Sequence, residues 1–241
     1  DDIDSGSGDD ILIGGRFGDT IVTVDGNNLI IGDSGMITAA DDNGSRFASL
    51  LLTIGRMETI AFGEGGADTI NATTGNDIVL GGYLGDTIKV GEGNNIVLGD
   101  DGAIDYVRAE REPGVPGADL DASDIDLIAS LSTTAGGGID DIDSGSGDDI
   151  LIGGRFGDTI DTVDGNNLII GDSGIITAAS SGATNFSDQP ITIGRMETTA
   201  FGDGGADTIN ATAGNDIVLG GHLGDTIKVG EGNNIVLGDD G

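Results

Sequence analysis

The sequence predicts an all-β fold, a parallel β-roll or β-helix solenoid of short strands joined by tight turns, with irregular insertions. Three observations predict it: an Asp or Asn recurs every nine residues in four blocks, an aliphatic residue stands two positions after each, and glycines cluster just ahead of them. Side chains alternate between the faces of a strand, so the residue two past a turn Asp points inward while its neighbours point out. Glycine before the Asp permits the positive φ of a sharp corner.

The first block has register residues Asp1, Asp10, Asp19 and Asn28, followed by the inward Ile3, Leu12, Ile21 and Ile30. The second has Asp68, Asp77, Asp86 and Asn95, followed by Ile70, Val79, Ile88 and Val97. Asp140, Asp149, Asp158 and Asn167 form the third block, and Asp207, Asp216, Asp225 and Asn234 the fourth. The turn glycines are Gly6 and Gly8 before Asp10, Gly75 before Asp77 and Gly93 before Asn95, with Gly145, Gly147, Gly214 and Gly232 in the later blocks. A period of 139 residues overlies this: 1–36 matches 140–175 except at Val22/Asp161 and Met36/Ile175. Likewise 63–102 matches 202–241 except at Glu64/Asp203, Thr74/Ala213 and Tyr83/His222. The expected organisation is a first long repeat, 1–139, with half-units of about 1–62 and 63–139, and a truncated second, 140–241, with half-units of about 140–201 and 202–241. It reads as a segment of a longer array.

Between the blocks lie less regular segments, 38–53, 105–134 and 177–192, expected to be surface excursions and not determinants of the fold. The middle one carries Pro113 and Pro116, which mark loop or extended backbone, then an amphipathic stretch ending in Leu127, Ile128 and Leu131. GRMET occurs at both 55–59 and 194–198 and reads as an Arg to Glu surface pair near a strand edge.

Composition narrows the partners. Asp and Glu number 43 against 9 Lys and Arg, a net charge of −34, and self-repulsion of that size opposes any compact state unless cations neutralise it. Regularly spaced aliphatics argue for folding and against disorder. Nucleic acid is excluded by the lack of basic clusters, anionic membranes are disfavoured for the same reason, and no 18-residue apolar run supports direct membrane insertion. With no cysteine, neither disulfides nor thiolate metal sites are available, and the abundant oxygen donors suit hard Ca²⁺.

GSGDDILIGG at 6–15, GGADTI at 65–70 and VGEGNNIVLG at 90–99 resemble the calcium-binding nonapeptide of the RTX (repeats-in-toxin) family, G-G-x-G-x-D-x-U-x. The resemblance covers most of the chain outside the three irregular segments, in sixteen register positions. It implies a β-roll of about 18 residues per coil, with multiple Ca²⁺ between successive turns on one side, held by turn Asp carboxylates and glycine-turn carbonyls. Carried over, Asp1 pairs with Asp19, Asp10 with Asn28, Asp68 with Asp86 and Asp77 with Asn95. In the second repeat Asp140 pairs with Asp158, Asp149 with Asn167, Asp207 with Asp225 and Asp216 with Asn234. The sequence departs from the family where Phe17, Leu84, Phe156 and Leu223 replace its last glycine, so those turns are expected to bind calcium less well or not at all, and the Asp10/Asn28 row and its copies are expected to be the principal calcium row. The Asn rungs offer a neutral oxygen, with Asp33, Asp100, Asp172 and Asp239 expected to complete their coordination.

Enzymatic motifs do not survive inspection. GDSG at 32–35 and 171–174 resembles a trypsin-like nucleophile segment, yet Asp101 stands where the sister half-unit has Ser34, and the one histidine, His222, is Tyr83 in the equivalent position. Carboxylates repeat uniformly instead of forming one acid and base pair. Lys89 and Lys228 interrupt any outward threonine ladder of an ice-binding kind. The expectation is a non-enzymatic, calcium-stabilised segment of a large secreted or cell-surface protein, exported from a bacterium, acting as stalk, adhesin shaft or filament. The competing expectation is a secretion and folding module of an exported RTX toxin, protease or lipase.

One feature departs from a solvated roll. Ile11, Ile13, Leu29 and Ile31, with copies Ile78, Leu80, Ile96 and Leu98, put aliphatics on the outward face of alternate strands, so that sheet is expected to be covered on both faces. The covers are either the chain's own excursions, through Leu127, Ile128, Leu131 and 50–52, or self-association with a neighbouring chain.

Overall fold

The computed structural model describes residues 1–41, 47, 52–132, 136–180 and 184–239. Two parallel sheets of eight strands form opposite walls of a roll. The first runs Asp2–Ser7, Thr20–Asp25, Thr69–Asn71, Thr87–Lys89, Asp141–Ser146, Thr159–Asp164, Thr208–Ala213, Thr226–Glu231. The second runs Ile11–Ile13, Leu29–Ile31, Ile78–Gly82, Ile96–Asp100, Ile150–Gly154, Leu168–Asp172, Ile217–Gly221, Ile235–Asp239. The chain passes from wall to wall at each nine-residue step, which makes one coil of two nonads. Among the described residues the only helical element is a short 3-10 turn, Arg108–Glu110.

Coils stack in strict register, Ile3 beside Ile21 and Leu12 beside Ile30. The excursions do not disturb it: Ile21 lies beside Ile70, Ile88 beside Ile142 and Ile160 beside Ile209. The half-unit boundaries read from sequence therefore fall inside one uninterrupted stack. Between the walls lies the core that the period demanded: Ile21, Ile30, Ile70, Val79, Ile88, Val97, Ile142, Leu151, Ile160, Ile169, Ile209 and Val218 are all buried. The first wall's outer face is solvated, with Asp2, Asp4, Thr20 and Thr69 exposed.

The excursions correct one expectation. Their margins, and Leu127–Ser130 within the middle one, build a third, antiparallel sheet in the order Gly35–Ala39, Ile54–Thr59, Gly102–Asp105, Leu127–Ser130, Gly174–Ala178, Ile193–Thr198. It lies over the second wall. Met57, Ile104, Ile128 and Ile176 bury themselves against Leu29, Ile31, Ile78, Leu80, Ile96, Leu98, Ile150 and Ile152. The outward aliphatics of the inner strands are thus covered within one chain, which weakens the case for lateral self-association along that face. The exceptions are the first and last strands of that wall, where Ile11 is half-buried and Ile13, Ile235 and Leu237 are exposed. Of the named covers, Ile128 is buried, Leu127, Leu131 and Leu52 are half-buried, and residues 50 and 51 lie outside the described set. In the GRMET strands Arg56 pairs with Glu58 at 2.7 Å and Arg195 with Glu197, as read, while Met57 faces the core.

Candidate metal centres

Each corner of the roll is closed by a ladder of side chains. At the corner leading into the first wall, the backbone N–H of Asp19 donates to Asp68 Oδ1 (2.7 Å), Asp68 to Asp86 (2.7 Å), Asp86 to Asp140 (2.6 Å), Asp140 to Asp158 (2.8 Å), Asp158 to Asp207 (2.8 Å) and Asp207 to Asp225 (3.0 Å). Asp1 begins it through its terminal ammonium on Asp19. At the opposite corner Asp10 donates to Asn28 (3.0 Å), Asn28 to Asp77 (2.8 Å), Asp77 to Asn95 (3.0 Å), Asn95 to Asp149 (2.8 Å), Asp149 to Asn167 (3.0 Å), Asn167 to Asp216 (3.0 Å) and Asp216 to Asn234 (2.8 Å). All sixteen register residues therefore meet, in two rows that also bridge the excursions, with 49 or 54 residues between partners instead of 18.

Most aspartate rungs spend Oδ1 on the neighbouring rung and leave Oδ2 over. Oδ2 of Asp10, Asp19, Asp68, Asp77, Asp86, Asp140, Asp149, Asp158, Asp207 and Asp216 is buried without a hydrogen-bond partner. Burying a carboxylate oxygen unpaired costs several kcal/mol unless it is protonated or bound to a cation. Burial pushes the Asp86 carboxyl up to about 10, with repulsion from Asp140, Asp68 and Asp33 adding to it. Burial likewise raises Asp68, Asp149 and Asp207 to about 7, and Asp140 and Asp158 well above the usual carboxylate range.

Backbone carbonyls face the all-aspartate row. A methyl added to Gly14, Gly32, Gly81, Gly99, Gly153, Gly171 or Gly220 would lie under 3.0 Å from both a rung's Oδ2 and a glycine carbonyl oxygen of the next coil. Small polar cradles of one carboxylate and one carbonyl oxygen thus recur up the edge. Among the described residues no three acidic or histidine side chains converge on one point, so carbonyls must complete any site. Mixed carboxylate and carbonyl oxygen is the donor chemistry Ca²⁺ takes. At the opposite corner the amides of Asn28, Asn95 and Asn167 donate to the carbonyls of Gly26, Gly93 and Gly165 (3.0, 3.1 and 3.2 Å). They also donate to Oδ1 of Asp77, Asp149 and Asp216 (2.8, 3.1 and 3.0 Å).

A scan against protein families matches the RTX calcium-binding nonapeptide repeat at residues 4–35, 62–83, 80–103, 134–160 and 198–222. The chain belongs to the RTX calcium-binding nonapeptide repeat family. Its repeats accordingly bind calcium ions, at multiple sites along the roll. Neither the curated proteins nor the solved structures compared with this RTX chain include a match.

Several RTX positions behave unlike their sequence reading. Phe17, Leu84, Phe156 and Leu223, which replace the family's last glycine, take φ of 69°, 71°, 71° and 71°, so the corner keeps the glycine-like backbone without glycine. Asp33, Asp100 and Asp172 do not sit with the Asn rungs. They lie at the all-aspartate corner, where the excursions leave and return, and accept N–H groups of Gly66 and Tyr83, Gly138 and Arg155, and Gly205 and His222. Asp239 ends the last Asn-side strand, as Asp100 and Asp172 end theirs. Sequence reasoning missed two features. One is a third ladder on the exposed flank, Asp9, Asn27, Asn76, Asn94, Asp148, Asn166, Asn215 and Asn233, each side chain accepting the next rung's N–H. The other is the carbonyl row, whose signal was a glycine four residues after every second-wall register residue.

Proposed function

We propose that this chain is a non-enzymatic, calcium-stapled rigid segment of a secreted or cell-surface bacterial protein, serving as a stalk, adhesin shaft or filament. The observation that carries the reading is the unbroken coil register across all three excursions. Stacked coils contact only their neighbours, so length is added without a new core, at about 4.8 Å per coil. Calcium bound at the corners neutralises aspartates and ties coil to coil. The residues assigned to it are Asp19, Asp68, Asp86, Asp140, Asp158, Asp207 and Asp225 with their facing glycine carbonyls, and more weakly Asp10, Asp77, Asp149 and Asp216. The Asn rungs hold that second edge mainly through their amides.

Single-molecule stretching tests the load-bearing role. In calcium the roll resists extension until a defined unfolding force; in chelator it extends with little resistance. Equal force in both conditions overturns the reading. The alternative, a calcium-dependent secretion and folding module, rests on the family alone and gains support if a catalytic domain adjoins these repeats in the full-length protein.

A further inference from the structure

We propose that the all-aspartate edge is also a pairing surface, along which two copies of this chain lie side by side and antiparallel in calcium. The proposal rests on the calcium reading, because cations bound at that edge neutralise the aspartates beneath the surface that pairs. It uses neither end of the roll and not the covered second wall. Each interior coil turns the corner with one exposed apolar residue just ahead of its register aspartate. Ala67, Leu84, Ile139, Phe156 and Ala206 stand in this way before Asp68, Asp86, Asp140, Asp158 and Asp207. Leu84, Ile139 and Phe156 are 41, 70 and 42% exposed, although each lies on a coil with another coil on either side.

The backbone holds these residues out. Leu84 and Phe156 have φ of 71°, a conformation strained for bulky side chains, and burial does not compensate either of them. Strain of this kind clusters at functional surfaces. Successive turns also rest directly on one another: a methyl added to Gly138 would strike the Leu84 carbonyl carbon, and one added to Gly205 the Phe156 carbonyl carbon. Ala67, Ile139 and Ala206 sit one position nearer their aspartates than Leu84 and Phe156 do. The exposed residues therefore form a staggered single file, one per coil, at a spacing of about 4.8 Å.

The order along the file fits its own reverse. With a two-fold axis between the Leu84 and Ile139 coils, Leu84 of one copy meets Ile139 of the other, and Phe156 meets Ala67. Each ring thus enters the gap at an alanine, and every contact occurs twice, as a closed two-fold pair requires. Charge agrees with shape. The Phe156 coil carries Arg155, paired with Asp203 at 3.1 Å, while the Ala67 coil carries Glu64, paired with Arg16. The same antiparallel register sets the Arg155 coil against the Glu64 coil of the second copy. A lipid surface fits less well, because interfacial insertion favours basic flanks and here Glu64 and Asp203 line the file. One apolar side chain per coil falls short of the roughly 20–30 residues a side of a stable complex, so the pair is a weak one.

Leu84→Lys and Ile139→Glu test the register at its axis. Alone, each sets a charge against an aliphatic residue of the second copy; mixed, they set lysine against glutamate. Circular dichroism records calcium-dependent folding, and sedimentation equilibrium in the same samples records assembly. Expected are a dimer of the parent chain in calcium at concentrations up to about 1 mM, a dissociation constant raised about tenfold or more for each variant, and stronger pairing in the equimolar mixture than in either variant alone. A parent chain that folds with calcium yet stays single to about 1 mM overturns the pairing and leaves the calcium reading intact. Assembly that both variants leave unchanged does the same, as does a mixture that pairs no better than its parts. A chain single in solution that binds phosphatidylcholine vesicles in calcium, and loses that binding in both variants, assigns the file to a lipid surface and also overturns the pairing. A β signal indifferent to calcium overturns the calcium reading, and sedimentation then judges the pairing by itself. Should a charged variant lose the β signal, Leu84→Gly and Ile139→Ala replace the two, each expected to weaken the dimer about fivefold or more. Unchanged assembly in both of these overturns the pairing.

Discussion

The two edges of the roll close the same backbone corner with different charges. Along the edge that leads into the first wall every rung is aspartate; along the other, aspartate alternates with asparagine. On the first edge Asp68, Asp86, Asp140, Asp158 and Asp207 each spend Oδ1 on a backbone N–H and keep Oδ2 buried among like charges, so Asp86 feels Asp140 and Asp68, and Asp158 feels Asp140 and Asp207. On the second edge an asparagine amide lends each following aspartate another donor. Both edges keep buried aspartate Oδ2 atoms without a partner, but on the second edge alternate rungs are neutral and their amides lend Oδ1 an extra donor. The all-aspartate edge is the one whose turns depart from the family's glycine pattern, and the proposed ranking has ligand quality follow the charge of the rungs more than the glycine count of the turns.

The largest expected effect comes from removing calcium. Binding energy is folding energy where the site exists only in the folded chain. Chelator at low salt should abolish the β circular dichroism of the chain and calcium should restore it. Retention of the full signal in chelator would show that the all-aspartate edge stands without its cation.

Next in size is a clash confined to the second edge. Gly75 has φ +134° and packs on the Gly26 carbonyl, leaving no space for a methyl, whereas Gly8, at φ +122°, has nothing within 4 Å. Gly75→Ala should cost about 3 kcal/mol or more through strain and overpacking, against about 1 kcal/mol for Gly8→Ala. Chemical denaturation in saturating calcium reads the difference. Equal losses would mean that coil spacing at this edge is not set by glycine contacts.

How far these features could be read beforehand depends on whether they repeat. The inward Ile21, Ile30, Ile70 and Val79 and both register rows were legible because each repeats every nine residues and each contact is with the neighbouring coil. The third sheet was not. Ile54–Thr59 pairs with Gly102–Asp105, and Leu127–Ser130 with Gly174–Ala178, across long stretches without a period to align them. The outward Leu29 and Ile31 announced that a cover was needed but not which segment supplied it. The displaced Asp33, Asp100 and Asp172 failed for a related reason: they follow the Asn rungs closely in sequence, but the intervening strand carries them across to the opposite corner.

A pair of single substitutions compares the edges directly. Asp86→Asn removes a buried carboxyl flanked by other carboxyls, which folding must hold protonated without calcium; Asp77→Asn removes one that already receives the Asn28 amide. Relief of an unsatisfied buried group is worth about 1–3 kcal/mol, so Asp86→Asn should make the calcium-free chain easier to fold while weakening calcium binding about tenfold or more, a change of about 1.4 kcal/mol. Asp77→Asn should change both less. Calcium titrations followed by calorimetry check this, and an equal or larger loss for Asp77→Asn reverses the ranking of the edges.

The smallest expected effect isolates backbone strain from ligation. Phe17 holds φ of 69° with its ring 78% exposed, so it adopts a left-handed conformation unfavourable for a bulky residue and gains little burial in return. Phe17→Gly relieves about 1–2 kcal/mol of strain and returns about 0.4–1 kcal/mol to the flexibility of the unfolded chain. The net expectation is a stabilisation of up to ~1 kcal/mol, visible as a small rise in melting temperature. Phe156 shares the backbone, φ 71°, but is 42% exposed, so Phe156→Gly gives up more contact and should gain less. Calcium affinity separates the two explanations of these turns. If the family's last glycine matters for ligation, Phe17→Gly tightens binding in proportion to its stabilisation or beyond. If the Asp19 and Asp68 carboxylates with their facing carbonyls already define the site, because Phe17 keeps a glycine-like backbone, the melting temperature rises while the calcium dissociation constant stays where it was.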